Sequence, residues 1–166
     1  MSPDFNELLD NFKKLKPGSR ADLRRAASPE ALRNLPVYHR LTHGQISDSW
    51  LRTLFILGSL KPDHFSAEKI SVGRAFANVD KGVPKEDRLT PVGVRLVQID
   101  RAVDGRDITQ LRRLIDYLEP KFYWPALART LYYWDANGVA KESKLPSNKK
   151  QILEDYFRAK YATKSN

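Results

Sequence analysis

The sequence predicts an all-α fold, a bundle of about seven to nine helices in two closely packed lobes. Apolar residues recur at helical spacing in the patterned segments, as Phe5, Leu8 and Phe12 do near the N-terminus. Proline, glycine and short polar residues punctuate these segments in the way typical of helix starts and stops. No segment alternates apolar and polar residues as a half-buried strand would, and no internal repeat is present. We therefore expect one domain over residues 1–166.

The N-terminal lobe is predicted to span about residues 1–80 and to hold five helical segments. Their starts are expected at short polar residues or prolines: Ser2-Pro3-Asp4, Ser19, Ser28-Pro29-Glu30, Ser47 or Asp48, and about Ser66. Four of their ends are expected at Lys16-Pro17-Gly18, Pro36, Pro62 and Val79. Asp22 follows Ser19 by three residues, close to a capping box, and Gly73 weakens the last of these segments.

The stretch from Asp80 to Thr90 is polar and contains glycine and proline, so we predict a linker at about 80–90. The C-terminal lobe then spans about 91–166. Its helices are expected to begin at Thr90-Pro91, Asp107, Trp124-Pro125 and Ser147. The ends of the first three are expected at Asp104-Gly105, Pro120 and Asn137-Gly138. Val103 is predicted to be buried, and Val139 to Lys150 to form a basic loop.

Composition indicates a globular protein with an anionic partner. The 166 residues are 41% hydrophobic and include 29 Lys and Arg against 20 Asp and Glu, a net charge of +9. That excess favours a polyanion or an acidic surface as the partner. The absence of cysteine excludes disulfides and thiolate metal sites. No long apolar run and no signal-peptide pattern is present, so we expect a cytosolic protein without a membrane partner.

The sequence offers little for catalysis. His39 and His43 are four residues apart, but no third ligand is near them and Gly44 argues against a helix there. There is no phosphate-binding glycine loop, nucleophile elbow or HExxH motif. We therefore expect no enzyme activity, no metal and no cofactor.

Function is instead expected among the basic residues. Arg20 and Arg24 are four residues apart, and like charges at that spacing destabilise an isolated helix, which favours an external anion. Arg25 has a competing explanation, a surface ion pair with Asp22. Arg112 has the same competing explanation, an ion pair with Asp116. For Arg129 the competing explanation is a cation–π contact with Tyr132 or Tyr133. Four lysines, Lys141, Lys144, Lys149 and Lys150, crowd one predicted loop, which is either solvated or part of a phosphate track.

Three stretches, in order, resemble the small-subunit (CasB) family of the type I-E CRISPR Cascade surveillance complex. The first reads GSRADLRRA, then SPE, then LPVYHRL, between Gly18 and Leu41. The second is ISVGRAFAN, Ile70 to Asn78, and the third is QLRRLIDYLEPKFYWPALARTLYYW, Gln110 to Trp134. The segments 43–47 and 135–146 depart from the family in length, the first shorter and the second longer.

The resemblance implies a non-catalytic helical subunit, present as two copies among the other Cascade subunits. Its expected partners are the guide-binding backbone subunits, the large subunit, a second copy of itself, crRNA and target DNA. The implied role is to hold the R-loop open by gripping the displaced non-target strand without sequence preference. Motif matching carries the basic surface onto seven arginines: Arg20, Arg24, Arg25, Arg74, Arg112, Arg113 and Arg129. Two alternatives remain open: a stand-alone basic helical nucleic-acid binder, and a pure assembly scaffold whose arginines pair with acidic patches.

Overall fold

A computed structural model describes residues 3–135 and 149–161 of the chain. These residues form nine α-helices and two 3₁₀ helices. The α-helices are α1 (Phe5–Lys13), α2 (Pro17–Arg25), α3 (Pro36–Thr42), α4 (Asp48–Leu57), α5 (Val72–Val79), α6 (Pro91–Arg101), α7 (Arg106–Leu118), α8 (Trp124–Tyr132) and α9 (Lys149–Tyr161). The 3₁₀ helices are Pro29–Asn34 and Pro62–His64. The described residues hold no strand, only two isolated bridges, so the all-α prediction is confirmed.

The chain divides into two compact units, Met1–Lys61 and Pro62–Asn166. The sequence placed the division later, at a linker of about 80–90. The difference has a physical reason: α5 packs against α9, so the segment before the predicted linker belongs with the C-terminal helices. That the two units form one domain remains a prediction.

In the first unit, α2 starts earlier than predicted. Its first residue is Pro17, after an N-cap at Lys16 that makes no side-chain hydrogen bond. Proline is well suited to the first helical position, because its missing N–H would have no partner there. The predicted cap, Ser19, therefore lies inside α2, and its hydroxyl accepts a hydrogen bond from Arg40 Nη2 of α3 at 3.3 Å.

The predicted third helix is a 3₁₀ helix, Pro29–Asn34, and Ser28 precedes it without a side-chain cap. The break at Pro36 is where the sequence placed it. Leu35 adopts an extended conformation, φ −91° and ψ 123°, as residues before proline do. Pro36 then begins α3. These elements and α4, capped by the Ser47 hydroxyl, enclose a core whose fully buried members include Leu23, Leu32, Tyr38, Leu54, Ile56 and Leu57.

In the second unit, α5 begins at Val72, not near Ser66, because the Ser71 hydroxyl accepts the Arg74 backbone N–H at 3.3 Å and caps the helix there. Gly73 lets this helix approach α9 closely. A Cβ at that position would lie 2.2 Å from the Ile152 carbonyl oxygen and 2.6 Å from the Tyr156 backbone nitrogen. The tight approach explains the glycine that weakens the helical pattern.

Both ends of the predicted linker are fixed by buried polar contacts. The Asp80 carboxylate accepts hydrogen bonds from the Thr90 hydroxyl at 2.7 Å and from the Tyr156 hydroxyl at 2.5 Å. Lys160 Nζ donates to the backbone carbonyls of Asp80 and Gly82 at 2.7 and 2.9 Å. Helix α9 therefore holds the start of the linker against the N-cap of α6, which is Thr90.

The sequence predicted Asp107 as the N-cap of α7, but the N-cap is Gly105, at φ 80°, and Asp107 lies inside the first turn. The buried carboxylate of Asp107 accepts hydrogen bonds from Trp134 Nε1 at 2.7 Å and from Lys149 Nζ at 3.3 Å. Val103, predicted to be buried, is 58% exposed in the connection between α6 and α7.

The last predicted features fall partly outside the described residues. These are the cap at Ser147, the stop at Asn137-Gly138, and Lys141 and Lys144 of the predicted loop. Lys149 and Lys150, assigned to that loop from sequence, are the first residues of α9. Among the described residues, no helix has the length and apolar character needed to cross a membrane.

Candidate nucleic-acid interface

The seven predicted arginines fall into two sets, one in each unit. Helix α2 carries Arg20, Arg24 and Arg25 in the first unit. In the second unit, Arg74 lies on α5, Arg112 and Arg113 on α7, and Arg129 on α8.

The surface of α2 is strongly basic. Arg24 and Arg25 are exposed and Arg20 is partly exposed. The Arg25–Asp22 ion pair predicted from sequence is present, at 3.5 Å. It contributes little, because its two side chains are 76% and 53% exposed and water screens the attraction. The ion pair therefore leaves the charge of Arg25 largely available to an external anion.

Arg40 adds a fourth guanidinium to the α2 surface. It lies on α3, and its hydrogen bond to the Ser19 hydroxyl places it beside α2. Sequence reasoning missed this residue, because the two side chains are 21 positions apart and no helical period links them. The only sequence signal was the LPVYHRL stretch, in which Arg40 stands.

The second unit has an open cavity of about 300 Å³ between α5, α8 and α9. Arg129 of α8 and Arg158 of α9 line it, together with Ser71 and Gly73 at the start of α5. Asp155 Oδ1 on its wall accepts hydrogen bonds from Gln151 Nε2 at 2.8 Å and from Arg158 Nη1 at 3.5 Å. Arg74, next to Gly73, is exposed. Of the predicted arginines, Arg129 thus lines this cavity and Arg74 does not.

A second cavity of about 520 Å³ lies between α6 and α7. Its lining consists of Pro91, Val94, Arg95, Gln98, Ile99, Gln110, Arg113 and Leu114. Arg113 is one of the seven predicted residues, and Arg95 faces it from the other helix. Arg112, one residue from Arg113, lies about 100° around α7 and is not part of this lining.

Arg95 also makes a cation–π contact with an exposed aromatic ring. Its Cζ atom lies 5.4 Å from the centroid of the Tyr117 ring, and Tyr117 is 74% exposed. Sequence reasoning missed Tyr117. A signal was available, since this tyrosine falls outside the phase of the buried residues of α7, which include Leu111, Leu114 and Ile115.

The two histidines considered as a metal pair make separate contacts. His39 Nε2 lies 2.7 Å from the Arg33 carbonyl oxygen, and His43 Nε2 lies 3.8 Å from the Glu7 carboxylate. Within residues 3–135 and 149–161, no group of three or more histidine, aspartate or glutamate side chains is arranged to hold a metal ion.

Comparison with known proteins places this architecture in a family. The model of the CRISPR-associated protein Cse2 family matches residues 19–157, most of the chain. The chain belongs to the Cse2 family. This confirms the resemblance drawn from the three sequence stretches. The family match includes all seven predicted arginines, together with Arg95 and Tyr117.

Two further comparisons match nearly the whole chain, one with a relative by sequence and one with a solved structure. The Cascade subunit CasB of the CRISPR system of Escherichia coli (strain K12) is 32% identical, over 92% of this chain and 92% of that protein. A chain in the crystal structure of E. coli Cascade bound to a PAM-containing double-stranded DNA target is 29% identical. It superposes with a TM-score of 0.77 and covers 98% of this chain and 100% of its own length.

Proposed function

We propose that the protein is the non-catalytic small subunit of a type I-E Cascade complex. In this role it assembles with the other Cascade subunits and a second copy of itself around a crRNA. It binds the displaced strand of a target DNA through its basic surfaces and so stabilises the R-loop. The observation that carries this proposal is the agreement of two facts. The Cse2 match runs almost the length of the chain, and the matched region contains the arginine surfaces of both units.

The energetics of an R-loop explain why such a subunit would be useful. Exchanging a DNA duplex for an RNA–DNA heteroduplex is nearly balanced in free energy, so protein contacts to the backbone can decide whether the open state persists. Arginine–phosphate contacts supply that stabilisation without reading bases. The α2 surface suits this task, since Arg20 and Arg24 lie one helical turn apart and add to the charge of Arg25 and Arg40.

The free protein should bind single- and double-stranded nucleic acid weakly and without sequence preference. Binding should weaken steeply as salt rises, because each phosphate contact releases condensed counterions. A flat salt titration, or strong preference for one sequence, would contradict the backbone-binding role. Strong preference for one sequence would instead favour a stand-alone sequence-specific regulator.

The decisive experiment combines Arg20→Ala with Arg24→Ala in the reconstituted complex. The fold should persist, because exposed substitutions usually change stability by less than about 0.5 kcal/mol. The complex should still form on its guide, as checked by size-exclusion chromatography. The lifetime of the R-loop on a matched target should shorten, and the salt slope of DNA binding should fall by about one for each lost phosphate contact.

Two control variants separate a local surface from overall charge. Asp22→Ala removes the partner of Arg25 and should not weaken DNA binding. Arg33→Ala removes one charge from the 3₁₀ helix Pro29–Asn34, outside α2, and should change R-loop lifetime less per charge than the double variant. If the double variant fails to join the complex, the two arginines are interface residues and the scaffold alternative is favoured. An assembled complex with an R-loop of unchanged lifetime would show that α2 does not contact DNA.

A further inference from the structure

The cavity between α6 and α7 differs chemically from the other basic surfaces of the chain. Its apolar wall is made by Pro91, Val94, Ile99 and Leu114, of which Val94 is 42% exposed. Its polar groups are two guanidiniums and two amides, those of Arg95, Arg113, Gln98 and Gln110. No carboxylate is among the lining residues. The nearest acid along α7, Asp116, is outside the lining.

Tyr117 is not among the lining residues, but its ring contacts Arg95, which is one of them. Most aromatic side chains of the described residues are buried or half-buried, and tyrosines such as Tyr38 and Tyr156 are fully enclosed. Tyr117, by contrast, is 74% exposed and leaves most of its ring in water. The guanidinium of Arg95 lies over this ring, with Cζ 5.4 Å from the centroid, and provides a second flat group at the same place. Flat, exposed aromatic and guanidinium groups are the surfaces on which nucleobases stack.

We propose that this groove is a stacking site for an unpaired nucleobase. The base stacks on the Tyr117–Arg95 pair with its edge toward the amides of Gln98 and Gln110, and Arg113 binds the neighbouring phosphate. This inference rests on the proposed function and adds to it, because it assigns part of the affinity to bases as well as to phosphates.

The ligand follows from matching each chemical feature of the groove. A protein carboxylate would satisfy Arg95 and Arg113 but would leave the exposed ring and the apolar wall without a counterpart. An apolar peptide would cover the ring and the wall but would bury two guanidiniums without anions, which is costly. A nucleotide supplies a flat face, hydrogen-bonding edges and a phosphate together. The cavity volume of about 520 Å³ lies in the range of small-ligand sites, about 300–1,000 Å³.

Stacking predicts a component of binding that does not depend on salt. Every base has a π face, so the component is also tolerant of sequence. It requires the base to be present and unpaired, whereas a phosphate track binds a backbone with or without bases. Removal of the bases therefore distinguishes the two modes of contact.

The experiment measures the affinity of the full-length protein for a fluorescein-labelled oligothymidylate and for an abasic oligonucleotide of equal length. The native protein should bind the oligothymidylate at least about fivefold more tightly, the smallest effect expected for one stacked base. Tyr117→Ala should bring this ratio close to one and leave the salt slope unchanged. Tyr117→Phe should keep the ratio, because the ring alone stacks. Arg113→Ala should instead lower the salt slope by about one.

Three results would overturn the stacking site. Salt-dependent binding that is equal for the two oligonucleotides would leave the phosphate role intact and remove the stacking site alone. A Tyr117→Ala protein that binds oligothymidylate normally but no longer joins the complex would identify the groove as a contact for another subunit. Failure of the native protein to bind either oligonucleotide would remove the stacking site together with the proposed function. Far-UV circular dichroism checks that each variant is folded.

Discussion

Replacing Gly73 by Ala tests the packing of α5 against α9. The added Cβ would lie 2.2 Å from the Ile152 carbonyl oxygen, 2.6 Å from the Tyr156 backbone nitrogen and 2.8 Å from the Asp155 Cβ. Ordinary contact begins at 3.4 Å, so the two helices would have to move apart by about 1 Å. Two of the opposing atoms are backbone atoms of a helix, which cannot rotate away as a flexible side chain can.

The expected cost combines two opposing contributions. Overpacking of this kind costs about 1–3 kcal/mol. The substitution also gains up to about 1 kcal/mol, because alanine favours a helix more than glycine does. We therefore expect Gly73→Ala to lower the free energy of unfolding by about 0–2 kcal/mol, and to leave it about 1–3 kcal/mol below that of a glycine-to-alanine variant with the same helix gain and no overpacking. Urea denaturation followed by far-UV circular dichroism measures this difference.

Gly18→Ala is a matched control for this prediction. Gly18 is the second residue of α2, as Gly73 is the second residue of α5, and a Cβ there would meet nothing within 4 Å. This variant should be as stable as the native protein or slightly more so, because only the helix propensity changes. If Gly73→Ala is as stable as Gly18→Ala, the close approach of α5 and α9 does not exist and the argument fails.

Two further predictions concern the buried polar contacts of the second unit. Tyr156→Phe removes the hydroxyl bound to Asp80 and should lower the free energy of unfolding by about 1–3 kcal/mol at neutral pH. Burial, followed by hydrogen bonding to Asp80, raises the pKa of Tyr156 above its usual value of 10.0. The stability that depends on its neutral form is therefore complete below pH 10 and lost as pH rises further, by up to about 1.4 kcal/mol per pH unit. In urea titrations between pH 9 and 12, Tyr156→Phe should remove that part of the native decline, and an identical decline in both proteins would contradict the assignment. Asp107→Ala leaves the buried Trp134 indole N–H without its acceptor and takes the carboxylate away from the Lys149 ammonium, which keeps only the Ala102 carbonyl. Tryptophan-monitored denaturation should show a loss of about 2–3 kcal/mol, and a loss under about 0.5 kcal/mol would refute the role of this carboxylate.

The helical fold could be predicted from sequence because its signals are local. Apolar spacing identified the helices, and Pro36, Ser47 and Thr90 marked their limits where the structure has them. Two predicted helix caps, Ser19 and Asp107, were wrong. Ser19 looked like a cap, but Pro17 offered an earlier start that costs no hydrogen bond. Asp107 looked like a cap too, yet its carboxylate is used by Trp134 and Lys149, far along the chain, and no local rule could reveal that.

Residue spacing alone could predict the candidate interface only where one helix carries it, and the arginines of α5, α7 and α8 were assigned by motif matching. Arg20 and Arg24 were predicted to face an anion because residues four apart share a helical face. The seven assigned arginines do not include Arg40 and Arg95. Arg40 lies beside α2, and Arg95 beside Arg113, only because separate helices pack together. The same holds for the linker at about 80–90, whose composition indicated only a connection between two lobes. Its ends are instead fixed by Asp80 and Thr90 through contacts with Tyr156, 76 and 66 positions away.

A subunit that holds a displaced strand of any sequence is restricted in the contacts it can use. Hydrogen bonds to base edges would make affinity depend on the target, so they are unsuitable as the main source of binding. Two features are shared by all single strands, the phosphates and the flat faces of the bases. The α2 surface, with Arg20 and Arg24, matches the first feature, and the groove with Tyr117, Arg95 and Arg113 matches the second together with the first. Because a duplex keeps its base faces stacked and covered, only the groove could distinguish an open strand from a closed duplex. A strand held at such a groove would have to give up its stacking contacts before it could re-anneal, which is the property that maintaining an R-loop requires.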